Sequence, residues 1–245
     1  MNYPKPYALR KIFFLRKSSM QSSEIQRSMK EKLKALYTDR QNVFISVATS
    51  FPDDDLAGPF LMAPSEKYTS QTKQLLIIGQ ETAGWNYHVH DIDKQMQHYD
   101  QFNLGIEYYA SPFWNITRKL ERALKIDEYS CAWTNINKFD LDGGRPYGKY
   151  VQAISTLDNI LIDEIKILNP TMCMFFTGPS FDERVKCIYE GIQFKNIENW
   201  PNRQLCQLVH PLLPENTFRS YHPKALRIRH LEENFINFIS SINIP

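Results

Sequence analysis

Short apolar runs alternate along the chain with segments of helical periodicity. Residues 22–37 have apolar positions at a three-to-four spacing, which predicts an amphipathic helix beginning near a serine cap. These positions are Ile25, Met29, Leu33 and Leu36. The run Gln74-Leu-Leu-Ile-Ile-Gly79 ends in glycine and is typical of a fully buried parallel strand. Further strands are predicted over residues 130–136, 171–177 and 205–209.

Helices are predicted over residues 113–124, 150–168 and 223–242. Pro112 opens the first, and the second ends before Pro170. Strands that alternate with helices predict an α/β fold, a three-layer α/β/α sandwich with a central, mostly parallel sheet. Residues 51–65 are predicted to be loop. Residues 85–112 are polar and aromatic without a clear period, and we predict a long functional loop with short helical pieces.

The length of 245 residues and a hydrophobic content of 42% suit one domain, over residues 1–245. We expect an N-terminal helical extension, about 1–70, and a long aromatic and histidine-containing insertion at 85–112. No apolar run approaches the roughly 18 residues of a membrane span. The start of the chain is basic around residues 12–15 but lacks a long apolar segment and a small-residue cleavage site. The sequence therefore predicts a soluble, cytoplasmic protein without membrane association.

Cysteine spacing and net charge add little. The four cysteines contain no Cys-x-x-Cys pair, which predicts reduced, mostly buried thiols and neither a zinc site nor a disulfide framework. We expect no metal and no cofactor. A net charge of +2 neither requires nor excludes nucleic acid, but residues 222–230 form a local basic patch.

Three polar motifs occur in order: Gly79-Gln-Glu-Thr-Ala-Gly84, Thr134-Asn-Ile-Asn-Lys138 and Ser220-Tyr-His-Pro-Lys-Ala-Leu-Arg227. We expect each at a strand end, where open α/β sheets bind ligands. In order and local sequence they resemble the uracil-DNA glycosylase superfamily, from about Leu75 to the C-terminus. The first seventy or so residues and the loop after Trp85 have no clear counterpart. The resemblance implies a uracil-DNA glycosylase-like fold and an enzyme that flips a base out of DNA and hydrolyses its N-glycosidic bond.

The resemblance also implies roles for three residues. Glu81 takes the place of the family's catalytic aspartate, which orients water and opposes positive charge on the sugar. Asn135 would read the edge of the flipped base, since an amide offers one donor and one acceptor. His222 would hydrogen-bond the oxygen that gains charge on the leaving base. A helix-capping Glu81, a strand-terminating Asn135 and a structural His222 are the plain alternatives.

Other residues are expected around these three. Base contacts are assigned to Gln80, Ala83, Tyr108, Phe113 and, as another candidate for stacking, Tyr109. By its position in the third motif, the resemblance implies that Leu226 is the wedge that fills the vacated stack. Contacts with DNA phosphates are assigned to Lys224, Arg227 and Arg229.

Ala83 departs from the family pattern. Uracil-specific members carry a tyrosine there that excludes 5-substituted pyrimidines, so Ala83 favours a larger base, such as a modified base of phage DNA. DNA repair and defence against phage both stay open. The motifs show no lysine nucleophile, which predicts a monofunctional glycosylase that leaves the strand intact. The cysteines do not match the iron–sulfur branch, so no cluster is expected.

Three other functions are consistent with parts of the sequence. An inactive DNA- or protein-binding module would keep the fold, because glutamate at position 81 is one methylene longer than aspartate. A metal-dependent hydrolase would use His88 and His90, although Ile92 breaks the usual metal pattern. A nucleotide-binding protein is disfavoured, because Gly84 is not followed by Lys-Ser/Thr. We expect DNA as the partner, no obligatory protein partner, and a monomer.

Overall fold

The computed structural model describes residues 6–52 and 56–242 and contains helices and strands in alternation. The helices are α1 (Pro6–Thr49), α2 (Glu66–Ser70), α3 (Ile92–Phe102), α4 (Pro112–Leu124), α5 (Lys149–Ile154), α6 (Asn159–Leu168), α7 (Asp182–Ile188), α8 (Pro223–Ile228) and α9 (Glu232–Ser241). The strands are β1 (Leu56–Ala57), β2 (Leu75–Gly79), β3 (Ala132–Asn135), β4 (Asp140–Leu141), β5 (Met172–Phe175), β6 (Gln193–Asn196), β7 (Leu205–Val209) and β8 (Asn216–Ser220).

Six strands form the main sheet, in the order β3-β2-β5-β8-β7-β6. The first four are parallel, whereas β7 is antiparallel to both β8 and β6. The predicted mostly parallel sheet is therefore wrong, and the sheet is mixed. The reason is the length of the connections, 197–204 and 210–215, which are too short for the crossover that a parallel pair requires.

Successive strand residues bring different helices to the two faces of the sheet. Trp133 on β3 packs against Trp114 of α4, with ring centroids 5.0 Å apart. The next residue, Thr134, donates a hydrogen bond from its hydroxyl to Glu164 of α6 at 2.7 Å. Because neighbouring side chains of a strand point to opposite faces, α4 and α6 cover opposite sides. The α/β class and the layered arrangement agree with the sequence prediction.

Helix α1 is longer than the predicted 22–37 helix. Its buried stripe is Met29, Leu33, Tyr37, Phe44 and Val47. This spacing of four, four, seven and three residues continues past the predicted end. The predicted core position Ile25 lies outside the stripe and is 48% exposed. Among the described side chains of α1, contact with the domain begins at Ser22, which is buried and whose hydroxyl lies 3.1 Å from that of Thr69, and the apolar stripe begins at Met29.

Other boundaries also differ. The predicted 85–112 loop contains helical pieces, as expected, and they are α3 and a 3₁₀ segment, Asn103–Tyr108. The predicted 150–168 helix divides into α5 and α6 around a 3₁₀ turn, Ser155–Leu157. The predicted terminal helix is interrupted near His230, whose φ of 53° is left-handed, and continues as α9. The sequence pattern assigned no bounds to β6 and β8. The Asp run at 53–55 of the predicted 51–65 loop lies outside the described residues, and so does the start of the chain before residue 6.

All four cysteines are free thiols, and three of them are buried, which confirms that part of the sequence prediction. In the part of the chain that the structure describes, no helix combines the length and the apolar character that a membrane crossing requires.

Candidate functional site

The carboxyl ends of the four parallel strands meet along one edge of the sheet. Gly79, the last residue of β2, pairs with Asn135, the last residue of β3. Strands β5 and β8 end beside them and lead to Gly178 and His222. Gly178 N donates to Ser220 O at 2.9 Å, which ties the β5 and β8 ends together. The residues that follow these four strands therefore lie close together at this edge.

Glu81 follows β2 and lies largely buried, with 12% of its side chain exposed. Asn137 Nδ2 donates to Glu81 Oε2 at 3.0 Å, and Arg145 Nε lies 3.7 Å from Oε1. Burial raises the pKa of the Glu81 carboxyl, while Asn137 and Arg145 act in the opposite direction. Glu81 is thus a partly desolvated carboxylate held on both oxygens.

A second carboxylate, Asp140, fixes the loop that carries Glu81. Its Oδ2 accepts hydrogen bonds from the Thr82 hydroxyl, from Gly84 N at 3.2 Å and from Trp85 N at 3.1 Å. Its Oδ1 accepts from Gly143 N at 3.0 Å. Asp140 is fully buried, so these four donors replace water around it. The loops after β2 and after β4 are consequently held as one unit.

His222 caps the N-terminus of α8 through its ring. His222 Nδ1 accepts from Lys224 N at 3.3 Å, so the proton of the neutral ring lies on Nε2. Burial lowers the pKa of His222 to about 4, helped by the positive charges of Arg145 and Lys224. At neutral pH the imidazole is uncharged, with an Nε2–H group that can donate.

A cavity of about 370 Å³ opens beside His222. Its lining residues are Gln80, Thr177, Gly178, Pro179, Ser180, Arg203, Tyr221, His222 and Ala225. Gln80 Nε2 donates to Thr177 O at 2.6 Å, and Arg145 Nη2 donates to Gln80 Oε1 at 2.6 Å. Arg145 therefore joins the cavity wall to Glu81. The volume is in the range of small-molecule pockets.

Asn135 is brought to this edge but not into the cavity. It is fully buried, and its Oδ1 accepts from Trp133 Nε1 at 3.1 Å. Its Nδ2 has no hydrogen-bond partner among the described residues. The amide lies over Gly79, where a Cβ would collide with Asn135 Oδ1. The structure therefore gives no access for a base to Asn135, and the predicted role of base reader is not supported in this conformation.

Of the aromatic residues predicted to contact the base, one lies beside His222 and two lie on the surface. Phe113 is partly buried, and its ring centroid lies 5.8 Å from that of His222. Tyr108 and Tyr109 are 58% and 66% exposed and lie on the outer surface of the insertion. Ala83 is exposed. Of the aromatic candidates, Phe113 is the one in contact with a predicted catalytic side chain.

The predicted DNA contacts of the terminal region require corrections. Leu226 is fully buried, so it cannot be an intercalating wedge here; Ile228, which is 66% exposed, is the apolar side chain that α8 presents to solvent. Arg227 is held by Glu232 at 3.0 Å and by Asn115 at 2.7 Å rather than free for a phosphate. Lys224 and Arg229 are exposed, as a phosphate contact requires.

Sequence reasoning missed three residues at this edge, which are Asn137, Arg145 and Arg203. Asn137 lies two residues after the predicted Asn135 and is the amide that contacts Glu81. Arg145 follows two glycines in a loop without periodicity, and Arg203 lies in a turn before β7. Asn137 could have been proposed from the sequence, because it is a polar residue of the second motif. The other two depend on loop conformations that no local pattern specifies.

The histidines considered for a metal site, His88 and His90, are both exposed. Within the described residues, no three histidine, cysteine or carboxylate side chains come together as metal ligands would. No protein-family model matches the chain, and no curated protein matches it in a sequence search.

Proposed function

We propose that this protein is a DNA N-glycosylase that excises a pyrimidine from an extruded nucleotide. The observation that carries the proposal is that a largely buried carboxylate, Glu81, and a neutral imidazole, His222, lie at the same strand-end edge, where Arg145 contacts both Glu81 and Gln80 of the cavity beside His222. Breaking the bond between C1′ and the base nitrogen creates positive charge on the sugar and negative charge on the base. The two side chains have the charge and the hydrogen-bond donor that stabilise these two developing charges.

The electron pair of the glycosidic bond leaves with the base, and His222 Nε2–H donates a hydrogen bond to the oxygen that becomes negative. Glu81 opposes the positive charge on the sugar and orients a water molecule toward C1′. Water adds to C1′ as hydroxide, and its proton passes by way of Glu81 to the departed base or to solvent. The products are a free base and an abasic nucleotide.

Asn137 and Arg145 support this use of Glu81 because both stabilise its ionised form. Phe113, in contact with His222, is the aromatic side chain best placed to stack on the base. Gln80 lines the cavity, and because Thr177 O and Arg145 Nη2 use one site at each end of its amide, the second Nε2 proton and the second Oε1 lone pair are left for the base edge. In this proposal Gln80 takes the base-reading role that the sequence assigned to Asn135.

The base itself is proposed from Ala83. An exposed alanine leaves space where uracil-specific relatives of the resembled superfamily carry tyrosine, so we propose a 5-substituted pyrimidine as substrate. Lys138, a lysine of the second motif, is fully buried and bonded to Glu164 on the other face of the sheet. It is therefore not placed to attack C1′, and the proposed enzyme leaves the strand uncut.

The experiment is mass spectrometry of bases released from defined DNA. Oligonucleotides containing uracil, mismatched thymine or 5-hydroxymethylcytosine, and phage genomes with modified bases, are incubated with the purified protein. We expect release of one 5-substituted pyrimidine and no strand break without alkali. Release of uracil alone would contradict the substrate proposal, and no release from any substrate would contradict the enzyme.

A further inference from the structure

Asn137, the amide that contacts Glu81, is also held at its other end. Arg184 of α7 donates from Nη1 to Asn137 Oδ1, while Asn137 Nδ2 donates to Glu81 Oε2 at 3.0 Å. Asn137 is almost fully buried, so both contacts are shielded from solvent. The amide therefore bridges a guanidinium and the proposed catalytic carboxylate.

Arg184 is itself fixed by Asp158, the residue before α6. Arg184 Nε lies 3.2 Å from Asp158 Oδ1 and 3.1 Å from Oδ2, and Arg184 Nη2 also donates to Oδ1. The two side chains are only 12% and 14% exposed. Because several hydrogen bonds to one carboxylate restrict a planar guanidinium, its remaining group, Nη1, stays directed at Asn137.

The chemistry of its two neighbours decides which end of the Asn137 amide faces Glu81. A guanidinium has donors only, so the amide atom that faces Arg184 must be the oxygen. The NH₂ group is then directed at Glu81, where it donates to an ionised carboxylate. An amide rotated by 180° would present its oxygen to Glu81 instead and would favour the protonated carboxyl.

Arg184 and Arg145 act on Glu81 in different ways. The charged groups that act on Glu81 directly are Arg145, which lowers the pKa of the carboxyl, and Asp140, which raises it. The charge of Arg184 is opposed by that of Asp158. We therefore expect the effect of Arg184 on Glu81 to pass through the Asn137 amide.

We infer that Arg184, oriented by Asp158, is a positioning residue for Glu81, because it fixes the Asn137 amide with its NH₂ group toward the carboxylate. A role of this orientation in base release rests on the proposed function. The orientation itself, and its effect on the ionisation of Glu81, do not.

The test is the titration of the Glu81 carboxyl carbon, followed by ¹³C NMR in the purified protein and assigned by its loss in Glu81→Gln. Arg184→Met combined with Asp158→Asn keeps the net charge and leaves no buried charge unpaired. We expect this combined variant to move the midpoint of the Glu81 titration to higher pH, as Asn137→Ala should. With Asn137→Ala already present, the Arg184 and Asp158 substitutions should cause no further movement.

The wild-type protein offers a second measurement, which does not depend on the folding of a variant. The NH₂ protons of Asn137 should shift in step with the Glu81 titration, because they face that carboxylate. NH₂ signals that do not respond would show the opposite orientation of the amide and would overturn the inference.

Lys186→Met is the matched control for a change on α7. Lys186 is an exposed lysine that pairs with Glu183 at 2.7 Å, and its removal should leave the Glu81 midpoint at the wild-type value. Equal midpoints for the wild type and the combined variant would contradict the positioning role. Additive movements with Asn137→Ala would do so too, because Arg184 would then act on Glu81 without the amide.

Base release supplies the functional readout. The combined variant should release base about tenfold more slowly on the acid limb of the pH profile, and at the wild-type rate on the plateau at higher pH. An equal loss at every pH would show structural damage rather than positioning. If the wild type releases no base, the proposed function fails, while the NMR titrations still decide whether Arg184 positions Glu81.

Discussion

Burial of the His222 ring contributes more to its neutral state than the charges around it. Burial is the largest cause of its lowered pKa, and Arg145 and Lys224 add to it. A group whose folded pKa lies below its usual value binds its proton only at lower pH. The ring therefore stays uncharged from neutral pH down to about 4, which is the pKa of the folded state.

The pH profile of base release follows from these two side chains. We predict no inflection near the ordinary pKa of histidine, because His222 stays neutral there. Activity should fall at lower pH as Glu81, whose pKa is raised by burial, takes up a proton and loses the charge that opposes the sugar cation. Single-turnover rates from pH 4 to pH 8 measure this. A limb centred near 6.5 that disappears in His222→Gln would show that His222 is protonated in the functional range, contrary to the prediction.

Gly79 shows a steric requirement at the same edge. A methyl group there would collide with Asn135 Oδ1 and would lie 3.3 Å from Trp133 Nε1. We predict that Gly79→Ala lowers the free energy of unfolding by about 1–3 kcal/mol, because the added methyl group would displace the buried Asn135 amide. The double variant Gly79→Ala with Asn135→Ala should recover part of this loss. Additive losses in urea unfolding would exclude the contact as the cause.

At the scale of elements, a buried ion pair joins β3, α6 and α1. Lys138 Nζ lies 2.7 Å from Glu164 Oε1, and Tyr37 of α1 donates to the same oxygen at 2.8 Å. Thr134 at the end of β3 donates to Glu164 Oε2 at 2.7 Å. Both charged side chains are almost fully buried, so each depends on the other for compensation.

Removing one member of this pair should be more damaging than removing both. We predict that Lys138→Met lowers the free energy of unfolding by about 3–5 kcal/mol, because Glu164 is left as a buried, uncompensated charge. Lys138→Met with Glu164→Leu should lose less than the single variant. Chemical denaturation of the three proteins measures the difference, and a double variant less stable than Lys138→Met would contradict the argument.

The elements that the sequence predicted are those with strong local patterns. Strand β2, helix α4 and strand β7 appear close to their predicted positions because apolar runs and Pro112 define them locally. Strand β6 has mostly exposed residues and β8 a mixed sequence, so neither shows a strand pattern, and their antiparallel pairing depends on contacts distant in sequence. Because these strands were not predicted, the sequence pattern could not predict a mixed sheet.

The residues of the candidate site likewise divide into those that a local motif predicts and those that tertiary packing places. Glu81 and His222 were predicted because each lies two residues after a strand end within a recognisable motif. Leu226 was misassigned because its orientation depends on the break between α8 and α9, which buries it and leaves Ile228 exposed. Arg145 and Arg203 escaped notice because loops without periodicity place them. Motif position predicts which residues reach the edge of the sheet, and tertiary packing decides which of them face the cavity.

At the scale of the whole molecule, the parallel and the antiparallel parts of the sheet bring different residues to the candidate site. Strands β3, β2, β5 and β8 place their carboxyl ends together and present Glu81 and His222. The antiparallel addition of β7 brings the turn with Arg203 back to the same edge. His222 and Arg203 thereby line the same cavity, and Arg145 connects Glu81 to the wall of this cavity at Gln80.

The most direct test of the account is the single-turnover rate of base release by Glu81→Gln relative to wild type, on an oligonucleotide from which the wild type releases a base. Glutamine keeps the shape and removes the charge, so we predict a loss of at least about a hundredfold. Glu31→Gln, which removes an exposed carboxylate of α1, should retain the full rate. Equal rates for Glu81→Gln and wild type, with both proteins folded, would contradict the account.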